Sequence, residues 1–267
     1  MVERPPGLLL AVDIGNTNVT VGVFRGERLV REWRLRTDAG RSTGSYGREL
    51  AGLVSRDLKG KRVDRVVFGS VVPRLSPVLR DLARRRFGVR AVEITPKTAL
   101  GMRLRVDRPA EVGADRLLNS LAAFRMFGGP SVVVDFGTAT TFDCISKRGD
   151  YIGGAILPGP HLAARALALN AAKLPEVPIR PTRRVIGKNT VECIQAGLYY
   201  GYLGMVERVL KETLIELRGN RSRVPVILTG GLARLFSAGM SRKVLVVPDL
   251  TLQGLRLAGG IVCGKCG

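Results

Sequence analysis

Two stretches of the chain share one arrangement of apolar and polar positions. In the first, an apolar run from Leu8 ends at Asp13, a polar turn follows, and a second, β-branched run extends over Val19 to Phe24. In the second, an apolar run from Ser131 ends at Asp135 and is also followed by a polar turn and an alternating segment. Apolar and alternating runs of this length predict strand, turn and strand at both places.

The rest of the pattern predicts a similar succession in each half. In the first half we expect strands at residues 28–37, 63–72 and 91–94 and helices at 48–58 and 75–87, with a loop at 38–47. In the second half we expect strands at 151–157, 224–228 and 244–247, helices at 112–127, 162–169 and 252–261, and one long or two shorter helices at 189–217. Residues 95–111 contain Pro96 and Pro109 and predict an irregular connection. The sequence therefore predicts an α/β fold with domains at 1–108 and 109–267.

The first polar turn has the composition of a phosphate-binding corner. Gly15 allows the backbone to approach a ligand closely, and Asn16, Thr17 and Asn18 offer N–H and side-chain donors. Asp13, at the end of the strand, can hold Mg²⁺, directly or through a bound water, beside the same phosphates. Turn-forming residues of this kind also occur in ordinary hairpins, so the first turn alone leaves both interpretations open.

The second copy favours the phosphate-binding interpretation. Asp135, Gly137 and Thr138 occupy the places that the acid, the glycine and the first donor have in the first copy. The same corner repeated in each half of a chain is typical of two half-domains that close on one ligand. We therefore expect the two corners to face a polyphosphate and its Mg²⁺ across a cleft.

A possible acid–base group lies at the start of the helix predicted over residues 112–127. Asp115 and Arg116 fall in its first turn, where the helix dipole favours a carboxylate. An aspartate there can orient an alcohol and accept its proton, and an arginine can pair with a carboxylate on the same acceptor. An ordinary helix-terminal acid and an ordinary surface arginine are the alternatives.

Composition narrows the function further. The chain has 267 residues, is 45% hydrophobic and carries 43 Lys+Arg against 22 Asp+Glu, a formal net charge of +21. Such a charge suits anionic ligands, but aromatics are only 5% and no nucleic-acid-binding motif stands out, so we expect no specific nucleic-acid recognition. No apolar run reaches the roughly 20 residues of a membrane span, and the first residues lack a signal-peptide layout, which predicts a cytosolic enzyme. Cys263 and Cys266, with His161 as the one histidine, do not complete a zinc site within one chain, which leaves a site shared between subunits as an alternative.

Five short motifs resemble those of type III pantothenate kinases, a family of the actin/hexokinase/sugar-kinase superfamily. They occur in the family's order and span most of the chain: DIGNT at Asp13–Thr17, GADR at Gly113–Arg116, DFGTATTFD at Asp135–Asp143, GGAILPG at Gly153–Gly159 and IGKNT at Ile186–Thr190. The resemblance implies two ribonuclease H-like half-domains, each a mixed five-stranded sheet with helices, and a cleft between them.

The resemblance also implies an activity and a set of site residues. The activity is transfer of the γ-phosphate of ATP to the primary hydroxyl of pantothenate, the first step of coenzyme A synthesis. The implied ATP contacts are Asp13, Gly15, Asn16, Thr17, Asn18 and Thr138. The implied pantothenate contacts are Val106, Gly113, Ala114, Asp115, Arg116 and Thr190. Asp115 is implied as the proton acceptor and Asp135 as the ligand of a monovalent cation, K⁺ or NH₄⁺. Family members are homodimers, with the site at the subunit boundary.

One position departs from the family pattern. Val106 stands where the family usually has a tyrosine, nine residues before the catalytic aspartate, and Arg108 replaces the usual asparagine. A valine cannot donate the tyrosine's hydrogen bond, which is worth about 0.5–1.5 kcal/mol. The departure is compatible with weaker pantothenate binding or with another acceptor. A kinase of the same fold acting on another small hydroxy-acid, and a noncatalytic transcription-associated regulator, therefore remain as alternatives.

Overall fold

The computed structural model describes residues 7–37, 43–58, 61–217 and 224–264. Within those residues the chain forms the following ten strands: β1 Leu8–Ile14, β2 Asn18–Arg25, β3 Arg28–Arg36, β4 Val63–Ser70, β5 Ala91–Ile94, β6 Ser131–Phe136, β7 Ala139–Ile145, β8 Tyr151–Pro158, β9 Val226–Gly230 and β10 Leu245–Val246. Its α-helices are α1 Thr43–Asp57, α2 Ser76–Leu82, α3 Ala114–Phe127, α4 Pro160–Asn170, α5 Thr190–Ala196, α6 Tyr202–Glu216, α7 Ala233–Ser237 and α8 Leu250–Cys263.

The predicted elements are present, with shifts at several ends. The main difference is α1, which begins at Thr43, five residues before the predicted start. Tyr46, Leu50 and Val54 recur at helical spacing and are all buried, so this turn is ordered by core packing despite its Gly- and Ser-rich composition. The rest of the predicted loop, residues 38–42, lies outside the described residues. At 189–217, a π-helical turn over Gly197–Gly201 joins α5 to α6.

The chain divides into two compact units. Unit 1 comprises Met1–Met102, Arg108–Ala122 and Leu250–Gly267, and unit 2 comprises Arg103–Asp107 and Ala123–Asp249. These units are not continuous in sequence, so a single boundary at residues 108/109 does not describe them. The reason lies in the packing of α8, which follows all of unit 2 in the chain but covers β1 and β4 of unit 1.

Each unit, as far as the structure describes it, contains one mixed five-stranded sheet, as expected. The strand orders are β3-β2-β1-β4-β5 in unit 1 and β10-β9-β6-β7-β8 in unit 2. In both, a central strand pairs antiparallel with the next strand along the chain and parallel with a later one. The duplication inferred from the two acid-ended strands therefore extends to the whole sheet.

The two faces of the unit 1 sheet have different covers. Leu10, Val12 and Phe68 lie in the cluster that includes the buried residues of α1 and α2. On the other face, a Cβ built on Gly259 of α8 would lie 2.9 Å from Val67 Cγ2 and 3.2 Å from Leu9 Cδ1. Full burial of one such aliphatic side chain contributes about 1.5–3 kcal/mol. The central strands are thereby held from both sides, which fixes the position of Asp13 at their end.

The unit 2 sheet has an aromatic core on one face. Phe136 stacks on Phe236 with ring centroids 5.1 Å apart, and Tyr202 of α6 lies 5.1 Å from the Phe236 ring. The Tyr202 hydroxyl donates to the Pro158 carbonyl over 3.0 Å and is also hydrogen-bonded to the Thr140 hydroxyl. Burial raises the pKa of Tyr202, partly offset by its hydrogen bond to Thr140. This face fixes β6, β7 and β8 relative to α6.

Among the described residues, no helix is both long and apolar enough to cross a membrane. Of the terminal cysteine pair, Cys263 is the last residue of α8 and Cys266 lies outside the described residues. The described residues also contain no group of three or more His, Cys, Asp or Glu side chains arranged to hold a metal ion.

Candidate active site

The β1–β2 turn of unit 1 is tight and exposed at its tip. The Gly15 N–H donates to the Asn18 carbonyl over 2.9 Å, and a Cβ on Gly15 would lie only 3.0 Å from that same oxygen. Asn16 and Thr17, at the tip, are exposed, and Asn18 is half-buried. The residues predicted to bind phosphate therefore form one short hairpin turn directly after Asp13.

Asp13 lies on the sheet face that α8 covers. Side chains alternate along a strand, so Leu9 and Asp13 point to the same face of β1. The parallel register pairs Asp13 with Gly69 of β4. Asp13 lies closer than Leu9 to the carboxyl end of β1, and it is half-buried. Its carboxylate is thus held at the edge of the face rather than within the core.

The first turn of α3 packs on this face at the same edge. A Cβ built on Gly69 would lie 3.4 Å from Ala114 Cβ and 2.9 Å from Leu118 Cδ1. Because Gly69 is the register partner of Asp13, the start of α3 lies next to the end of β1. Asp115 follows Ala114 directly. The structure therefore brings Asp13 and the first turn of α3, with Asp115, to one edge of unit 1.

The Asp115 carboxylate is fixed locally. Its Oδ1 accepts a hydrogen bond from the Arg116 N–H over 2.9 Å. A Cβ on Gly113 would lie 2.4 Å from this Oδ1, so the observed side-chain position requires a residue without a side chain at 113. Asp115 and Arg116 are both half-buried in the first turn of α3, where the helix dipole stabilises negative charge.

Val106 belongs to the other unit. The segment Arg103–Asp107 pairs with β8: the Arg105 N–H donates to the Tyr151 carbonyl over 2.8 Å, and the Tyr151 N–H donates to the Arg103 carbonyl over 2.9 Å. A Cβ on Gly153 would lie 3.7 Å from Val106 Cγ1. The predicted irregular connection thus contains an ordered segment that packs on unit 2. Val106 lies nine positions before Asp115 of unit 1 in the sequence.

The second corner is richer in oxygen ligands. Asp135, half-buried at the end of β6, pairs in register with Thr141 of β7 and with Thr229 of β9, which is 2% exposed. Gly230 has a φ of 86°, and a Cβ there would lie 2.5 Å from Asp135 Oδ1. A carboxylate with hydroxyl groups beside it suits a hard cation such as K⁺. The predicted cation ligand is therefore in a fitting environment.

Thr138 lies in the turn that follows Asp135 and is exposed. Its carbonyl accepts a hydrogen bond from the Gly159 N–H over 3.0 Å. A Cβ on Gly159 would lie 2.2 Å from that carbonyl oxygen. The GGAILPG motif thus ends in a glycine because the corner turn passes directly against it.

Sequence reasoning missed the role of a buried carboxylate next to this corner. Asp143 is fully buried and accepts hydrogen bonds from Tyr151 Oη and Thr141 Oγ1, both over 3.2 Å. Tyr151 is the residue whose backbone holds the Arg103–Asp107 segment. The signal for Asp143 was an acid flanked by apolar residues within the alternating part of DFGTATTFD.

Thr190 lies on an open depression of unit 2. It is the first residue of α5, which is capped by Asn189 Oδ1 accepting from the Glu192 N–H over 2.9 Å. Hydrogen bonding from the Lys188 backbone lowers the pKa of Glu192, and burial opposes this. The depression has a volume of about 730 Å³ and is lined by Leu167, Leu174, Gly187, Lys188, Asn189, Thr190, Cys193, Ile194, Gly197 and Leu198.

Comparison with known proteins points to one family. The family model of type III pantothenate kinase matches residues 9–212. The chain is 45% identical over 253 residues to the type III pantothenate kinase of Moorella thermoacetica, with 94% of this chain and 98% of that protein covered. It is 46% identical over 252 residues to the type III pantothenate kinase of Anaeromyxobacter dehalogenans, with 94% and 98% covered.

Solved structures agree on the fold alone. The ROK hexokinase from Thermus thermophilus matches with a TM-score of 0.51 at 16% identity, covering 96% of this chain and 99% of that one. The ethanolamine utilization protein EutJ from Carboxydothermus hydrogenoformans matches with a TM-score of 0.54 at 18% identity, covering 96% and 91%. The expected sugar-kinase and actin-like fold is thereby confirmed.

Proposed function

This chain belongs to the type III pantothenate kinase family, and we propose that it transfers the γ-phosphate of ATP to the primary hydroxyl of pantothenate with Asp115 as the proton acceptor. The observation that carries this assignment is the position of Asp115. It lies in the first turn of α3, at the edge of unit 1 that also carries Asp13 and the β1–β2 turn. Phosphoryl transfer needs positioned donors, a nearby cation and a base for the acceptor alcohol; the candidates at this edge are the β1–β2 turn, Asp13 as a cation ligand and Asp115.

In the proposed reaction, Asp115 orients the pantothenate hydroxyl and takes its proton. A bond forms between the hydroxyl oxygen and the γ-phosphorus, and the bond between the γ-phosphorus and the β–γ bridging oxygen breaks, leaving ADP. General-base help of this kind is worth about 10²–10⁴ in rate. Arg116, beside Asp115, binds the carboxylate at the other end of pantothenate, since a guanidinium pairs with a carboxylate through two parallel hydrogen bonds.

The β1–β2 turn binds the phosphates of ATP in this proposal. Gly15 permits close approach, and Asn16, Thr17 and Asn18 supply donors at or near the exposed tip. Asp13 holds Mg²⁺ at the end of β1; a single carboxylate suffices because Mg²⁺ usually takes its other ligands from phosphates and water. Bound Mg²⁺ would neutralise charge on the transferring phosphate.

Unit 2 supplies the remaining proposed contacts. Asp135 holds K⁺ or NH₄⁺, supported by the hydroxyls of Thr141 and Thr229 in its register row. The cation would add positive charge near the nucleotide. Thr138 contacts ATP, and Val106 and Thr190 contact pantothenate. Val106 fills its position with two methyl groups, so pantothenate binding there lacks the hydrogen bond that the family's tyrosine would donate.

We also propose a homodimer and a cytoplasmic location. Unit 2 exposes large apolar side chains near the depression that contains Thr190: Leu169 is 72% exposed, Val185 62% and Ile186 75%. Exposed apolar groups of this size favour association with a partner surface. The cytoplasmic proposal rests on the use of ATP as phosphate donor.

A turnover assay tests the function directly. Purified protein is incubated with γ-labelled ATP, Mg²⁺ and pantothenate in K⁺ buffer, and we expect labelled phosphopantothenate and ADP in equal amounts. Hydroxy-acids of similar size, such as pantoate, serve as alternative acceptors in parallel. If the folded protein labels one of these and not pantothenate, the fold is a kinase with another acceptor. If it labels none and instead binds DNA with sequence preference at physiological salt, the regulator alternative holds.

A further inference from the structure

The end of β3 is tied to the β1–β2 turn by two hydrogen bonds that the proposed function does not use. The Thr37 N–H donates to the Thr17 carbonyl over 2.7 Å, and Thr37 Oγ1 donates to the Gly15 carbonyl over 2.8 Å. Thr37 directly follows the last residue of β3. One residue from a neighbouring strand therefore holds both ends of the exposed tip formed by Asn16 and Thr17.

We propose that the end of β3 is part of the nucleotide-phosphate site, with Thr37 as a positioning residue for the turn and with Arg34 and Arg36 as the cationic groups beside the phosphates. This inference rests on the proposed function, because it assumes that the turn binds ATP. It adds residues that lie more than ten positions beyond the turn in sequence and that belong to none of the five motifs.

The role of Thr37 follows from the geometry of a peptide plane. In a trans peptide the C=O and the following N–H point in opposite directions. Thr37 Oγ1 holds the Gly15 carbonyl, so the Asn16 N–H of the same peptide points away from Thr37. A phosphate is attracted by N–H groups and repelled by carbonyl oxygens. Thr37 thus selects the peptide orientation that favours an anion at the turn, and it keeps that orientation before ATP arrives.

The arginines follow from the strand register. Across the sheet, Gly69, Asp13, Thr20 and Arg34 form one row, because Asp13 pairs with Gly69 and Thr20, and Thr20 pairs with Arg34. Residues in one row share a face of the sheet. Strands lie about 4.8 Å apart, so the Cα atoms of Asp13 and Arg34 are about 10 Å apart. The Arg34 side chain is exposed on the face that carries the proposed Mg²⁺ ligand.

Arg36 lies still nearer to the turn. It pairs directly with Asn18, and it is two residues from Arg34, so both arginines face the same way. Glu32 also shares this face, but it pairs with Gly22 and therefore lies farther from the turn. The end of β3 closest to the turn accordingly carries a net positive charge, which suits a triphosphate.

The test of Thr37 uses a threonine elsewhere in unit 1 as its control. Thr37→Val removes the side-chain donor at nearly constant volume, and Thr37→Ser restores it. Thr98→Val removes a comparable bond, from the Thr95 N–H to Thr98 Oγ1 over 2.9 Å, after β5 at the opposite edge of the sheet. Binding of a non-hydrolysable ATP analogue is measured by calorimetry, and KM values for ATP and pantothenate by turnover.

We expect Thr37→Val to raise the Kd of the analogue and the KM for ATP about three- to ten-fold, the value of one hydrogen bond, with the KM for pantothenate unchanged. Thr37→Ser should restore both to within about two-fold of the wild type. Thr98→Val should bind as the wild type does. Unchanged analogue binding by folded Thr37→Val, or equal losses in Thr37→Val and Thr98→Val, would overturn the positioning role.

The arginines are tested separately, which keeps the proposal testable if Thr37→Val does not fold. Arg34→Gln and Arg36→Gln are compared with Arg31→Gln, since Arg31 is exposed on the same strand but pairs with Val23 of the core face. The first two should raise the Kd of the analogue about three- to ten-fold, with a smaller ratio at high salt because screening weakens the attraction. Arg31→Gln should change it less than two-fold. Equal effects of all three substitutions, or none, would contradict the proposal.

Wild-type protein separates this inference from the proposed function. If it binds the analogue but does not phosphorylate pantothenate, the acceptor assignment fails and the role of β3 is still decided by the Kd values. If it does not bind the analogue, the assignment of the turn fails and the inference about β3 fails with it.

Discussion

The strand registers align the two sheets position by position. In this alignment, the residues that pair with Asp13 and those that pair with Asp135 differ in chemical type. Asp13 pairs with Thr20 and Gly69, and Asp135 pairs with Thr141 and Thr229. The place of Gly69 in unit 1 is thus taken by Thr229 in unit 2. Two residues farther along the second strand, the place of Gly22 is taken by Asp143.

These replacements explain what each corner can do. In unit 1 the glycines leave room for helices: Leu118 Cδ1 of α3 would be 2.9 Å from a Cβ on Gly69, and Leu252 Cδ1 of α8 would be 2.9 Å from a Cβ on Gly22. The approach of α3 brings Asp115 to that edge. In unit 2 the same places hold oxygen-bearing side chains. One duplicated corner therefore receives a helix terminus with the proposed base, Asp115, and the other carries the oxygen-bearing side chains proposed to hold a cation.

The largest effect expected from breaking this asymmetry is loss of the proposed base. Asp115→Asn keeps the hydrogen bond to the Arg116 N–H but cannot take a proton, so we expect kcat to fall about 10²–10⁴-fold with the KM for ATP little changed. Steady-state kinetics measure both constants. Glu111→Gln, which removes an exposed acid four residues away, serves as the control and should retain full activity. Retained kcat in Asp115→Asn would exclude Asp115 as the base.

Alanine substitution of a glycine at each corner tests how much space the surrounding atoms leave there. Gly230→Ala places a Cβ at a φ of 86°, 2.5 Å from Asp135 Oδ1 and 2.7 Å from the Phe136 backbone, so we expect a loss of about 2–4 kcal/mol in the free energy of unfolding. Gly69→Ala meets only the ends of side chains, and we expect about 1–3 kcal/mol. Denaturant unfolding measures both. A larger loss in Gly69→Ala would mean that the unit 1 edge is the less adaptable one.

Replacing each of the two acids by asparagine tests whether the two corners hold different cations. Asp135→Asn should raise the K⁺ concentration for half-maximal activity about 10–100-fold and leave the Mg²⁺ requirement unchanged, because a charged ligand contributes about 1.5–3 kcal/mol. Asp13→Asn should do the reverse. Titrations of activity with each cation, at saturating concentrations of the other, separate the two. Identical responses of the two variants would show that the corners are not specialised.

The smallest effect concerns the buried acid that has no counterpart in unit 1. Tyr151→Phe removes one donor to Asp143 while Thr141 remains, so we expect a loss of about 1 kcal/mol in the free energy of unfolding. The Arg103–Asp107 segment is bonded to the Tyr151 backbone, so the KM for pantothenate should rise by less than about three-fold. Thermal unfolding and steady-state kinetics provide the two readouts. A rise in the KM for ATP instead would link Asp143 to the nucleotide.

The parts of this structure that follow local rules were predictable. Apolar runs gave the strands, and the repeated acid and glycine gave the duplication of the sheets. The early start of α1 was hidden because Tyr46, whose burial orders that turn, is surrounded by glycine and serine. The roles of Gly69 and Asp143 were hidden as well, since each depends on a residue from a distant element. The membership of α8 in unit 1 depends on its packing against strands from the first part of the chain. A contact between residues so far apart in sequence leaves no local signal.

The place of α8 has a consequence for the order in which the chain can fold during synthesis. Unit 2 is complete once Asp249 has left the ribosome, whereas the sheet of unit 1, whose first strand is made at the start, lacks the cover of Leu9 and Val67 until Leu250–Cys263 have been made. Domains generally fold as units. We therefore expect unit 1, although its first strands are translated before unit 2, to reach its native state only after α8 has been made.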